Sequence, residues 1–205
     1  MYLFYVRTYM SHMMLAEFFH IDDSSVCRYF KKLEPILYRK IRLPSVKRIR
    51  LTQEDIELLV DATEQETEKR KGSGYSGKKK KQTVKTQMVV DTKGHIKHVS
   101  KSVPGNIHDK KLFDLTDISL PETTRADLGY LGTKLLIPFK SSKFHKLTKE
   151  QKAYNKVHSS IRITIEHIFA HLKQWRILSH RFRNTLSTYH RKFVIVAGLY
   201  NLKLT

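Results

Sequence analysis

Three carboxylates, two helical cations and a set of lysine-rich stretches are the residues of this chain that could do chemistry. Asp61 closes the apolar run Ile56–Asp61, Asp127 closes Thr124–Asp127, and Glu166 lies on the helical pattern that starts at Lys149. Carboxylates gathered from separate elements repel one another unless cations intervene, and all-oxygen ligation suits Mg²⁺ or Mn²⁺. Two such ions about 4 Å apart can activate a nucleophilic oxygen and stabilise the leaving one during in-line displacement at phosphorus. At about 100° per residue, Arg162, Glu166 and Lys173 cluster within roughly 40° of each other, so two cations flank Glu166. An ordinary i,i+4 Arg–Glu surface pair has the same spacing.

The charge balance names the class of partner. The 205 residues hold 39 Lys and Arg against 19 Asp and Glu, a formal net charge of +20. That surplus fits a polyanion, with nucleic acid ahead of an anionic membrane surface. It concentrates in residues 28–50, 69–81 and 171–192, whereas residues 54–68 carry seven acids and neither Lys nor Arg. A hydrophobic fraction of 40%, with ten Tyr and ten Phe, excludes a disordered polycation. The lone Cys27 excludes an internal disulfide and a cysteine-based zinc site. The longest apolar run, residues 193–200, is far short of the roughly 20 residues that span a membrane. The expectation is an intracellular protein with no membrane partner.

Positioning these residues takes two kinds of element. Residues 11–19 and the stretch from Ser24 or Ser25 to Pro35 read as two helices around the link His20–Asp23. This spacing suits a helix-turn-helix whose second helix presents Ser24, Ser25 and Arg28 to a groove and Lys31 and Lys32 to phosphates. His20 stands where such a turn usually has glycine, and an ordinary helical hairpin is the competing reading. Further on, Thr83–Asp91 and His95–Val103 alternate around Thr92-Lys93-Gly94, a hairpin signal. Lys78, Lys79, Lys80 and Lys81 lie in a Gly- and Lys-rich loop suited to phosphate contact. Asp109–Leu115 reads as a short helix, Thr124–Asp127 and Leu135–Phe139 as short strands, and Lys149 to about Leu178 as one long helix. If the first and fourth strands run parallel, Asp61 and Asp127 emerge side by side and the last helix can lay Glu166 across them. His167 and His171 form an H-x₃-H pair without the glutamate of a zinc-protease motif.

Several ordered motifs carry a resemblance. They begin with Asp61-Ala62-Thr63-Glu64-Gln65, Tyr75-Ser76-Gly77-Lys78-Lys79-Lys80 and residues 104–113 (PGNIHDKKLF). Ala126-Asp127-Leu128-Gly129-Tyr130, Ser159-Ser160-Ile161-Arg162 through Glu166, Arg181-Phe182-Arg183-Asn184 and residues 197–202 (AGLYNL) continue in order. Together they resemble DDE-superfamily transposases of insertion sequences, in the group named with the numeral five, and are similar to Harbinger-type nucleases.

The resemblance implies an α/β fold: an RNase H-like mixed sheet flanked by helices, preceded by a small all-helical unit. It divides the chain into a helix-turn-helix unit at 1–38, a basic linker at 39–53 and a catalytic domain at 54–205. It implies a metal-dependent enzyme that cuts double-stranded DNA at the terminal inverted repeats of an element and joins the freed 3′-OH to target DNA. Such an enzyme would work as a homo-oligomer on DNA in the cytoplasm or nucleoid of a prokaryote. Asp61, Asp127 and Glu166 match the metal-holding triad, with Asp109 a rival ligand or a helix-capping residue. Arg162 and Lys173 match supporting positions, as does His108, while Ser159 stands where a Tyr is expected. Only seven residues separate Asp127 from Leu135, fewer than the dozen or so that a parallel crossover takes. The competing expectation is therefore a truncated or degenerate copy that binds DNA without catalysis.

Overall fold

A computed structural model describes residues 1–41, 43, 57–144 and 146–204. Most of the basic linker expected at 39–53 lies outside the described residues.

The sheet is organised around one long strand. β1 (Leu58–Glu66) pairs antiparallel with β3 (Lys81–Asp91) along its whole length, from Leu58 opposite Asp91 to Glu66 opposite Thr83. The other edge of β3 is shared by three short strands: β2 (Gly74–Ser76), β5 (Val103–Pro104) and β4 (Ile96–Val99). On the free edge of β1, Arg125 forms a parallel bridge to Leu59, and Leu136 a parallel bridge to Arg125. The expected fourth and fifth strands are thus single bridges. They suffice to carry the parallel order outward from β1, and the seven-residue connection is taken up by a 3₁₀ turn at Leu128–Tyr130.

Alternation along β1 sorts its side chains to two faces. Leu58 and Val60 join Val89, Ala126, Tyr130 and Leu135 in a smaller cluster, backed by Phe113 of α4 (Asp109–Thr116). Leu59 joins the larger core with Ile165, Ile168 and Leu172 of α5 (Lys149–Lys173). Asp61 shares the parity of Leu59 and therefore faces α5. A capping box, in which Thr148 and Gln151 satisfy each other's backbone N–H groups, starts that helix. It ends at Lys173 rather than near Leu178; a separate turn, α6 (Arg176–Ser179), follows. α7 (Tyr189–Asn201) closes the core, with Phe193 to Gly198 buried.

The N-terminal helices are α1 (Tyr2–Thr8), α2 (His12–Phe19) and α3 (Asp23–Lys40). His20 takes the left-handed conformation (φ 52°) that the turn between α2 and α3 demands. The α3 cap is Asp22, whose carboxylate accepts from the Ser24 N–H at 2.9 Å, rather than Ser24 or Ser25. Pro35 does not end α3, which continues to Lys40. These helices share the large core: Tyr2, Tyr5, Val6, Leu15, Val26 and Phe30 belong to the same cluster as Leu59 and Ile165. A buried ion pair, Lys192 to Glu34 at 2.7 Å, ties α3 to α7.

Candidate catalytic site

Parallel register decides where two of the carboxylates lie. The Val60 N–H donates to the Arg125 carbonyl at 2.9 Å and the Arg125 N–H to the Leu58 carbonyl at 2.8 Å. Leu59 and Arg125 are therefore in step, and two residues further along each segment come Asp61 and Asp127. Asp61 does not end its strand as the sequence pattern suggested, because β1 runs on to Glu66. It marks instead the point where the parallel neighbour departs. Asp127 accepts from the Gly129 N–H at 2.8 Å and so caps the 3₁₀ turn that carries the chain away.

Asp61, Asp127 and Asp109 line one cavity of about 580 Å³, together with His108 and Lys173. Asp109 stands in the first turn of α4, after His108, whose side chain makes no cap bond. Gly129 lies between two of the carboxylates: a Cβ there would sit 2.7 Å from Asp109 Oδ2 and 2.9 Å from Asp127 Oδ1. Arg162 reaches in from α5 and donates to Asp61 Oδ2 at 2.9 Å, while the Ala62 N–H donates to Asp61 Oδ1 at 2.7 Å. Burial pushes the Asp61 carboxyl up to about 6; Arg162 opposes that shift, and Asp127 and Asp109 add to it. Burial also holds the Lys173 amine below the usual lysine range, helped by the charge of Lys79 and opposed by Asp61. Tyr130, buried behind these carboxylates, is driven well above the ordinary phenol range, first by burial and then by Asp61. It stays protonated and donates to Gln87 Oε1 at 3.2 Å.

Glu166 does not line this cavity. It is exposed on α5, one turn beyond Arg162. Of the expected phosphate-contacting lysines, Lys78 and Lys79 line the cavity, Lys80 belongs to the adjoining turn, and Lys81 begins β3 and pairs with Glu66. Among the residues expected to face a groove, Arg28 is exposed and donates to Ser25 Oγ at 3.1 Å and to Ser24 Oγ at 3.3 Å. Lys31 and Lys32 are exposed.

The sequence reading passed over Lys85. Its side chain is 9% exposed, and its ammonium meets Asp109 Oδ1 at 2.9 Å, Glu64 Oε1 at 3.3 Å and the Ile107 carbonyl at 2.7 Å. A lysine inside the otherwise buried Val84–Val90 run, set opposite Glu64 in the register, was the signal for it.

The donor chemistry of this cavity fits a hard divalent cation, since burial and the neighbouring carboxylates penalise the charge on Asp61 that such an ion would neutralise. Among the described residues, no three His, Cys, Asp or Glu side chains stand close enough together to hold an ion as they are. Asp61 and Asp109 are engaged by Arg162 and Lys85 instead.

A mixed sheet with paired acidic positions at a parallel step, entered by a basic helix, is the frame of a nucleic-acid-processing α/β enzyme. The chain belongs to the DDE superfamily endonucleases: that family model matches residues 60–201, and the model for the helix-turn-helix of DDE superfamily endonucleases matches residues 1–43. Divalent-metal dependence goes with this superfamily. Among curated relatives, a "Probable transposase for insertion sequence element IS702" of Microchaete diplosiphon is 34% identical over 220 residues, covering 98% of this chain and 77% of the relative. A "Putative transposase for insertion sequence element IS112" of Streptomyces albus G is 29% identical over 212 residues, with the same coverage. No solved structure matches the chain.

Proposed function

We propose that this protein is an insertion-sequence transposase that cuts duplex DNA at element ends and transfers the freed strand to target DNA. The observation that carries the reading is the in-step placement of Asp61 and Asp127 in one cavity with Asp109. Residues 1–38 form the DNA-reading unit, 39–53 the basic linker and 54–205 the catalytic domain. Asp61 and Asp127 would hold Mg²⁺ or Mn²⁺, with Glu166 or Asp109 as the third carboxylate. Bound ions would supply activation of the attacking oxygen and stabilisation of the leaving oxygen at phosphorus.

The chain's own residues do the rest. Arg162 fixes the Asp61 carboxylate against α5, and Lys85 fixes Asp109 at the head of α4. Lys78, Lys79 and Lys173 give the cavity wall the positive charge that draws in a phosphodiester. Ser24, Ser25, Arg28, Lys31 and Lys32 contact the duplex outside the cavity. The work is done on DNA inside a prokaryotic cell, as a homo-oligomer assembled on the element ends; among the described residues, no helix is long and apolar enough to cross a membrane.

The test is cleavage of a duplex carrying the element's terminal inverted repeats, with Mg²⁺ or Mn²⁺. Asp61→Asn and Asp127→Asn should each abolish cleavage while leaving duplex binding intact. Whichever of Glu166→Gln and Asp109→Asn behaves the same way is the third ligand. A second reading, DNA binding without catalysis, is favoured by the engagement of Asp61 and Asp109 with Arg162 and Lys85. It predicts no cleavage by the wild type with either ion, together with undiminished binding to the repeats.

A further inference from the structure

A second cavity, of about 440 Å³, lies between α3 and the start of α7, away from the carboxylates. Five cations line it, Lys31, Arg70, Arg183, Arg191 and Lys192, against the single carboxylate Glu34. Three of the five are committed to protein partners. Lys192 is bound to Glu34 at 2.7 Å. Arg183 lies 4.3 Å over the Tyr9 ring and donates to the Tyr9 carbonyl, and Arg70 donates to Glu68 and to the Arg183 carbonyl. Arg191 is held more loosely: it makes an ion pair with Glu34 at 3.8 Å, too long for a hydrogen bond, and its side chain is 39% exposed. Lys31 is exposed at the cavity's rim. Like charges held this close around an open space repel one another unless an anion joins them.

The geometry points to a phosphate site, and its place on α3 identifies the phosphate as one of a nucleic-acid backbone. At about 100° per residue, Lys31 lies within roughly 20° of Ser24 and about 60° of Arg28 around α3. The cavity therefore adjoins the face offered to the duplex, and Lys31 belongs to both. Thr188, just ahead of α7, also lines the cavity, and its hydroxyl donates to the Thr185 carbonyl at 2.8 Å. We infer that this cavity takes a phosphodiester of the DNA strand that leaves the α3 face, with Arg191 and Lys31 as its donors. Since Glu34 and Lys192 also join α3 to α7 here, the same phosphate would fix the DNA-reading helices against the catalytic core. The inference rests on the DNA-binding reading above.

Two measurements on the full chain test it, both comparing wild type with the double variant Lys31→Gln/Arg191→Gln. These two side chains are exposed or half-exposed, and the buried Lys192–Glu34 pair stays intact. In the first, inorganic phosphate is added against chloride at equal ionic strength and thermal unfolding is followed. Phosphate should raise the Tm of the wild type and not that of the variant. In the second, the salt dependence of binding to a mixed-sequence duplex is measured. The double variant should bind about 10-fold more weakly at ~0.1 M salt, with the slope of log K against log salt reduced by about 1, the loss of one phosphate contact.

Equal stabilisation of both proteins by phosphate overturns the site. Loss of the phosphate effect with an unchanged slope overturns the backbone assignment and makes free phosphate the occupant. A reduced slope with no phosphate effect on the wild type means long-range steering and also overturns the site. Failure of the wild type to bind duplex at all defeats the transposase reading and the backbone assignment together, and the phosphate measurement still decides whether the cavity is an anion site.

Discussion

Arg162 donates to the Asp61 carboxylate at 2.9 Å across a sequence separation of 101 residues, and this contact ties the long helix to the central carboxylate of the site. Both side chains are mostly buried, 15% and 17% exposed, so the guanidinium is what keeps Asp61 as low as about 6 against the pull of burial. Replacing Arg162 by Gln should move the Asp61 titration further up, readable by carboxyl-carbon NMR on Asp-labelled protein, with Arg162→Lys in between. The folded state then carries an unpaired carboxylate above that pH. The stability deficit of the Gln variant should grow as pH rises through the Asp61 titration, reaching the order of 1–3 kcal/mol. A titration that stays where the wild type has it would separate Arg162 from Asp61.

Gly129 supplies space between Asp109 and Asp127. Its backbone is outside the positive-φ region, so an alanine brings no backbone strain, only a methyl group 2.7 and 2.9 Å from two carboxylate oxygens. The expected result for Gly129→Ala is loss of metal-dependent cleavage, because at least one carboxylate must swing out of the cavity. The cost in stability should be modest, roughly 1–3 kcal/mol as for other overpacked positions. Thermal unfolding and the cleavage assay on the same preparation check both halves.

How far the sequence alone reaches can be judged from these residues. Alternation and turn signals located the β3–β4 hairpin, although β3 is buried on both faces from Thr83 to Asp91, and the 3.6-residue period located α5 because that helix buries one stripe. The parallel step of Asp61 and Asp127 was legible only as a condition, which the parallel bridge between Leu59 and Arg125 meets. The length of β1 was not legible, since Thr63, Glu64 and Gln65 look like a loop and are held in the sheet by pairing with β3. The third carboxylate was ambiguous for a related reason: helical spacing sets Glu166 near Arg162, but the fold of the chain around Gly129 brings Asp109 to Asp127. Lys85 was hidden because a lysine next to valines reads as an exposed position until Glu64 and Asp109 are known to face it. The sharing of one core by α1–α3 and the sheet is likewise a matter of tertiary contact, and no local pattern reports it.

The Lys192–Glu34 pair is a buried electrostatic link between the N-terminal helices and the rest. Both side chains are almost fully buried, at 6% and 7% exposed. Removing one partner strands the other's charge, so Lys192→Met should cost about 3–5 kcal/mol in urea unfolding. The double variant Glu34→Leu/Lys192→Met removes both charges and should recover most of that loss. If the single variant proves harmless, the helices α1–α3 are held to the rest by other contacts, such as the Tyr9–Phe182 stack and the Asn184 bond to the Tyr5 hydroxyl.

His98 gives the fold a defined response to acid. It sits in β4, 1% exposed, with its Nδ1 lacking a hydrogen-bond partner. Burial holds its imidazole down to about 4, with a smaller push from His190. The unfolded chain takes up this proton near pH 6.5, whereas the folded protein refuses it until about 4. The neutral histidine's contribution is therefore complete above about 6.5 and is lost as pH falls through about 4, amounting to about 3 kcal/mol. Asp61 acts in the opposite sense over part of this range, because its raised carboxyl gains a proton in the folded state first. Comparison with His98→Leu removes that effect, since Asp61 titrates in both proteins. Between pH 7 and pH 4 the wild type should lose about 3 kcal/mol more than the Leu variant in urea unfolding, and parallel losses would mean that His98 takes its proton without leaving the core.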